Sequence, residues 1–304
     1  MRTITRRRNI ALVAGTLLLV LAAGGLLTYS RGDDAERKPR PDAEPPATRA
    51  PAPDQPIPRD PDRLAREVGR TDRRLDAAVD RWLDGETARG PAPRDLALLA
   101  LYQQRLYLLL TPRKQLQRAT LGRLRGSVRA QATDILAARR SLQVLNPPTR
   151  QRRFATGPAL PAGVLLRLYR RAERRFDVDW RVLAAVNLVE TGFNRIRSNS
   201  TAGAQGPMQF IPSTWSAYGM GGDIRDPEDA IMGAANYLRA SGAPRDHRRA
   251  LFAYNPSSLY VTAVSRYARR MRRDRRAFYV LYNWQIFVRT PMGQRRLTGP
   301  RPLR

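Results

Sequence analysis

The sequence predicts a mainly α protein, and three observations carry that prediction. Leu and Val recur at spacings of three, four and seven over two long stretches, roughly 62–145 and 161–272. Helix-stopping signals such as Asn146-Pro147-Pro148 and Gly192 punctuate those stretches. The remaining non-helical sequence is either Pro-rich or rich in Ser, Asn, Thr and Gly.

The first element in chain order is an apolar segment. Arg2, Arg6, Arg7 and Arg8 precede an uncharged run from Ile10 to Leu27, and Arg31, Asp33 and Asp34 come after it. That layout is a signal sequence or signal anchor. The run is close to the minimum length for a bilayer span, and no clean cleavage site stands after Leu27. Residues 1–30 are therefore expected to be an uncleaved anchor in the cytoplasmic membrane, with the rest of the chain outside. Residues 31–61 are expected to be a disordered linker, with nine prolines in 31 residues. Proline at that density favours extended polyproline geometry and a reach on the order of 90 Å.

A helical spacer is expected over 62–148. Its first helix carries Leu64, Val68, Leu75, Val79 and Leu83, its second runs from Asp95 to Leu110, and a third stretch runs from Lys114 to Leu145. Gly122 and Gly126 interrupt the third, and the heptads are too irregular for a coiled coil. These helices are expected to pack on each other or on the domain C-terminal to them. That last domain is expected over 161–298. It begins with a helix from Val164 to Phe176, and Asp179 is placed to cap a helix ending at Glu190 or Thr191. Gly192 stands where a left-handed terminating residue belongs. Pro212-Ser213-Thr214 reads as another helix start, and helical patterns return at Pro227–Leu238 and Arg249–Arg272. Aromatics from Phe278 to Phe287 are expected to seal this domain, with a short strand or hairpin.

Composition narrows the chemistry. The chain has no cysteine and a single histidine, His247. Thiol nucleophiles, disulfides, lipid-modified cysteine anchors and zinc sites built on several histidines are excluded. His247 lies in the polar run Ala243–Arg249 and is expected at a loop or helix start. The net charge is +29, nearly all of it arginine. Such a surplus is either a solvated surface or is held near anions such as lipid headgroups or wall polymers. The arginines carry no recognisable nucleic-acid reading motif, so no nucleic-acid partner is expected.

One acid stands out. Leu183, Val186 and Glu190 fall at i, i+3 and i+7, which puts a carboxylate at the end of an apolar stripe. Burial there raises its pKa, and the negative helix end pushes the same way. Ten residues on comes Ser200-Thr-Ala-Gly203-Ala204-Gln-Gly-Pro-Met208-Gln209, and later Ala253-Tyr254-Asn255-Pro256. These three elements, in this order, resemble the lytic transglycosylases with a lysozyme-like, SLT-type catalytic domain. The resemblance covers roughly 161–275, and the N-terminal layout is that of a membrane-anchored, actinobacterial-style member.

The resemblance implies an α+β lysozyme-like catalytic domain that cleaves peptidoglycan glycan strands. By it Glu190 is the catalytic residue, while Ser200, Gly203, Ala204, Met208, Gln209, Tyr254 and Asn255 form the substrate cleft. No metal or cofactor is needed. The family usually has Ser after the catalytic Glu, where this chain has Thr191, and Pro256 replaces the usual small residue after Tyr-Asn. Asp177 and Asp179 are the nearest acids in sequence, with Asp223, Asp226, Glu228 and Asp229 nearer the loop, and none reads as the second carboxylate of an ordinary glycosidase. The implied reaction cuts the β-1,4 bond between N-acetylmuramic acid and N-acetylglucosamine and closes a 1,6-anhydro ring, with Glu190 as acid and then base. Alternatives are a hydrolytic muramidase on the same fold, a non-catalytic basic wall-binding protein and, on charge alone, a nucleic-acid binder.

Overall fold

The computed structural model describes residues 49–84, 90–151 and 153–300. The expected anchor over 1–30 lies outside them, as does most of the expected linker. Among the described residues no helix is long and apolar enough to cross a membrane.

Helices α1 (Pro61–Asp84), α2 (Arg94–Leu110), α3 (Lys114–Arg123) and α4 (Gly126–Leu145) occupy the expected spacer region. The long third stretch splits at Leu124-Arg125, just before Gly126, which adopts φ 52°. α4 ends at Leu145, where Asn146-Pro147-Pro148 withdraws the donors the helix needs. Next come α5 (Ala162–Phe176), α6 (Trp180–Thr191), α7 (Pro212–Tyr218), α8 (Pro227–Ala240), α9 (His247–Tyr254), α10 (Ser258–Arg273) and α11 (Arg276–Tyr282). The expected Arg249–Arg272 helix is two helices, because Asn255-Pro256-Ser257 leaves helical geometry. His247 opens α9, as expected of it. The hairpin is β1 (Phe287–Thr290) paired antiparallel with β2 (Gly293–Arg296), Phe287 facing Arg296 and Thr290 facing Gly293.

A continuous apolar core runs from Leu64 in α1 to Trp284 after α11. α10 is its axis, with α4 against one side and α6 against another. The helices of 61–145 thus pack on the C-terminal helices, burying Leu64, Val79, Trp82 and Leu106 in the same core as Leu183 and Val264. Burial of that kind contributes about 1.5–3 kcal/mol for each large side chain. A buried carboxylate fixes the register of the contact: Asp134 of α4 accepts from Arg266 at 2.8 Å, from Arg269 Nε at 3.1 Å and from Arg273 at 3.2 Å, all three on α10.

The Pro-rich stretch needs a correction at its C-terminal end. Residues 49–60 lie against α1 and α2 rather than extending freely. The Arg105 guanidinium donates to the carbonyls of Pro53, Asp54 and Gln55 at 2.9–3.3 Å, and Arg74 donates to the carbonyl of Arg49 at 2.8 Å. Prolines lack N–H groups to pair among themselves, and arginine forks supply the missing donors.

The aromatics after Asp274 seal the core. Phe278 is fully buried and meets Tyr169, Trp180 and Phe193 edge-on at 5.8–6.3 Å.

Candidate active site

The site is built from the end of α6. Asp179 caps its start by accepting from the N–H of Arg181 at 2.8 Å. Gly192 ends it at φ 59° and ψ 48°, and a Cβ there would lie 2.3 Å from Ile286 Cδ1. Phe193 and Asn194 continue in the same left-handed region, a costly run stabilised by complete burial of the Phe193 ring. The turn leaves Glu190 on the last helical turn, at the wall of a cavity of about 380 Å³.

The loop after it forms the opposite wall. Ser200 Oγ accepts from the N–H of Ala204 at 3.0 Å, and Gly203 turns the chain at φ 82°. Gln205 and Phe210 pair through two backbone bonds of 2.8 and 2.9 Å, enclosing a tight turn. Gly206 in that turn has φ 72°, and a Cβ there would stand 1.8 Å from the carbonyl oxygen of Ile224. No other residue fits. Gln209 also takes a left-handed conformation, φ 50°, and its Nε2 donates to the Gly206 carbonyl at 3.0 Å.

Side chains from the helices hold this loop by its carbonyls. Thr191 Oγ1 and Asn187 Nδ2 both donate to the Pro207 carbonyl, at 2.7 and 2.8 Å. Tyr169 Oη steadies Asn187 by donating to its Oδ1 at 2.6 Å. Tyr254 Oη donates to the Met208 carbonyl at 2.6 Å. The hydroxyl kept in the Ser-to-Thr change therefore serves as a loop anchor.

The expected site residues fall into two groups. Glu190, Ser200, Gln209 and Asn255 face the cavity together. Met208, Ala204 and Tyr254 do not line it: Met208 is wholly buried, Ala204 and Tyr254 nearly so. The expectation that Met208 presents its side chain to the cleft is corrected. It is packed into the apolar core instead, while Gln209 beside it lines the cavity. Gly203 makes a turn and has open space around it.

Sequence reasoning passes over Tyr260. This first-turn residue of α10 donates to Glu190 Oε1 at 2.7 Å and lies parallel to the Tyr254 ring, centroids 6.3 Å apart. A tyrosine heading an apolar helical face, just after the Tyr-Asn pair, is the available signal. Gln104 of α2 and Arg139 of α4 also line the cavity, a contribution from the expected spacer that its periodicity does not reveal.

Burial drives the electrostatics. It raises the Glu190 pKa to about 7, and the Tyr260 hydrogen bond, which favours the charged form, only partly opposes it. Although the side chain borders open cavity space, protein surrounds it densely enough to strip most of its hydration. Burial likewise drives the Tyr254 and Tyr260 phenols well above their ordinary range, and the nearby Glu190 charge adds to that effect. Glu190 is the one acid among the cavity-lining residues described. Asp179 is engaged by Arg272 at 2.7 Å, Asp226 caps α8, Asp229 accepts from the N–H of Asp223, and Glu228 pairs with Arg171.

Residues 167–275 match the family model of the transglycosylase SLT domain, which takes in Glu190, the glycine loop and the Tyr-Asn pair. No solved structure matches the chain. The domain match indicates a peptidoglycan-cleaving enzyme of the lytic transglycosylase type, acting on glycan strands, with a lysozyme-like helical catalytic region.

Proposed function

We propose that the chain is a lytic transglycosylase that cuts the β-1,4 bond between N-acetylmuramic acid and N-acetylglucosamine and releases 1,6-anhydro ends, with Glu190 as the single acid and base. The observation that carries this reading is the isolation of Glu190: a desolvated carboxyl, hydrogen-bonded to Tyr260, in a cavity lined by no other acid among the described residues. A two-carboxylate glycosidase needs its second group ~5–10 Å away. Here the substrate supplies the nucleophile. With its pKa near 7, Glu190 is half protonated at neutral pH and can give a proton to the glycosidic oxygen. The acetamido group shelters the positive sugar carbon. Glu190, now a carboxylate, takes the proton from the muramyl 6-hydroxyl as that oxygen attacks the anomeric carbon. The proton balance closes on one residue, and no water is consumed.

In this reading Ser200, Gln209 and Asn255, which line the cavity, hold the sugars, while Gly203, Ala204, Met208 and Tyr254 shape the loop behind them. We further propose that the chain is exported and tethered through residues 1–30, on the charge layout around the apolar run Ile10–Leu27. Mass analysis of the ends released from purified wall tests the reaction, since anhydro and hydrolysed ends differ by one water. Glu190→Gln should abolish release while binding to wall persists. Full release by that variant, or reducing ends from the native enzyme, would overturn the assignment.

A further inference from the structure

Arg139 is a cation without a counter-charge, facing the same cavity as Glu190. Its guanidinium lies 5.7 Å over the Trp284 ring, its Nε is buried with no hydrogen-bond partner, and it makes no ion pair among the described residues. The arginines around it are different. Arg266, Arg269 and Arg273 share Asp134, Arg276 pairs with Asp80, and Arg289 donates to the Gln143 and Asn146 carbonyls. Burial lowers the Arg139 pKa, the sign of a charge kept from water at a cost. Stacking over Trp284 offsets part of that cost but leaves the buried Nε–H without an acceptor. Glu190, largely protonated below neutral pH, does not neutralise it.

The geometry separates this charge from the reacting carboxyl. Tyr260, which holds Glu190, and Tyr267, which meets Trp284 edge-on at 6.2 Å, are seven residues apart on α10. Two helical turns put ~10 Å between them along the helix. The cavity therefore has an acid end at Tyr260 and a cation at Trp284, with Gln104, Asn255 and the carbonyl-bound Arg289 also on its walls.

We infer that Arg139 is a carboxylate-binding subsite, which selects glycan strands bearing a carboxylate beside the sugar backbone. This inference rests on the glycan reading of the cavity above. The carboxylate comes either from the free lactyl group of a muramic acid stripped of its peptide or from the peptide stem. A guanidinium fork suits both, because it takes a carboxylate through two parallel N–H donors. A helix outside the matched domain segment would then set substrate choice.

The test measures binding to the full chain carrying Glu190→Gln, so that ligands are not consumed. The ligands are glycan oligomers of one length: peptide-free with free lactyl carboxylates, peptide-bearing, and each of these with its carboxylates amidated. The parent should bind at least one carboxylated form about tenfold more tightly than its amidated counterpart. Adding Arg139→Gln should remove that preference and leave amidated ligands within about twofold, while Arg139→Lys restores part of it. Selective loss for the peptide-free oligomer assigns the lactyl group, and for the peptide-bearing one the stem. Equal binding of carboxylated and amidated ligands by the parent overturns the inference even if Arg139→Gln fails to fold. So does an equal loss for all ligands, which marks a packing role. Anhydro-product release by the native chain is read separately. Failure there with carboxylate selectivity intact sinks the reaction, and the reverse result sinks the subsite.

Discussion

Tyr260 and Glu190, seventy residues apart in the chain, meet through a 2.7 Å hydrogen bond at the wall of the cavity. The phenol donates to Oε1 and stabilises the carboxylate, so it holds the Glu190 pKa below what burial alone would produce. Removing it raises that pKa further. On the proposed mechanism the acid step needs Glu190 protonated, so kcat/KM should fall as pH rises through about 7. Tyr260→Phe should move that limb up by about one pH unit, matching a charge-assisted bond of about 1.5 kcal/mol. It should also lower kcat, since the carboxyl loses its orienting partner. An unmoved limb would show that the bond does not tune the acid.

Glu190 also makes stability depend on pH. Its folded pKa of about 7 exceeds the ordinary 4.5, so the native state holds the proton more tightly than the unfolded chain does. Its contribution is fully present below about 4.5 and is lost as pH rises through about 7. Because the side chain borders open cavity space, the cost of ionising it there is about 1–2 kcal/mol. Glu190→Gln should melt at a higher temperature than the native protein at pH 8 and at the same temperature at pH 4. Calorimetry at the two pH values decides it.

Thr191 anchors the glycine loop by donating to the Pro207 carbonyl, and it also accepts from the N–H of Asn194. Thr191→Ser should preserve activity. Thr191→Ala removes one of the two donors to the Pro207 carbonyl and leaves the Asn194 N–H without its acceptor, and should cost about 1–3 kcal/mol, with a larger loss in turnover as the loop loses its register. Denaturant titration and strand-cleavage assays on the two variants separate the hydroxyl from the methyl.

Gly206→Ala should be among the most damaging single changes. The new methyl would stand 1.8 Å from the Ile224 carbonyl oxygen, a backbone atom that cannot swing aside, at a φ of 72° that alanine avoids. A loss of more than about 3 kcal/mol is expected, or failure to fold. A near-native melting curve would mean that the loop can relocate.

Asp134→Ala should uncouple the two helical regions. The carboxylate is only 3% exposed and gathers three guanidiniums from α10. Its loss leaves three like charges adjacent and unpaired, at a cost of about 2–4 kcal/mol. Asp134→Asn, which keeps volume but not charge, should recover little, as denaturant midpoints would show.

Local chemistry is enough to write much of this protein from its sequence. The caps at Asp179 and Gly192, the breaks near Gly126 and Asn146, and the hairpin after Phe278 come from what those residues do to their own backbone. The apolar stripe ending in a carboxyl marks Glu190 for the same reason. Tertiary structure decides which side chains meet. Gln209 lines the cavity while Met208 beside it is buried in the core, an outcome set by how the loop packs on the helices. Tyr260, Gln104 and Arg139 reach the site from helices whose periodicity marks a buried face but not the neighbour packed against it. Spacing along one helix fixes direction relative to its own axis; only packing of α4 and α6 on α10 fixes directions relative to each other, and the site is made of those.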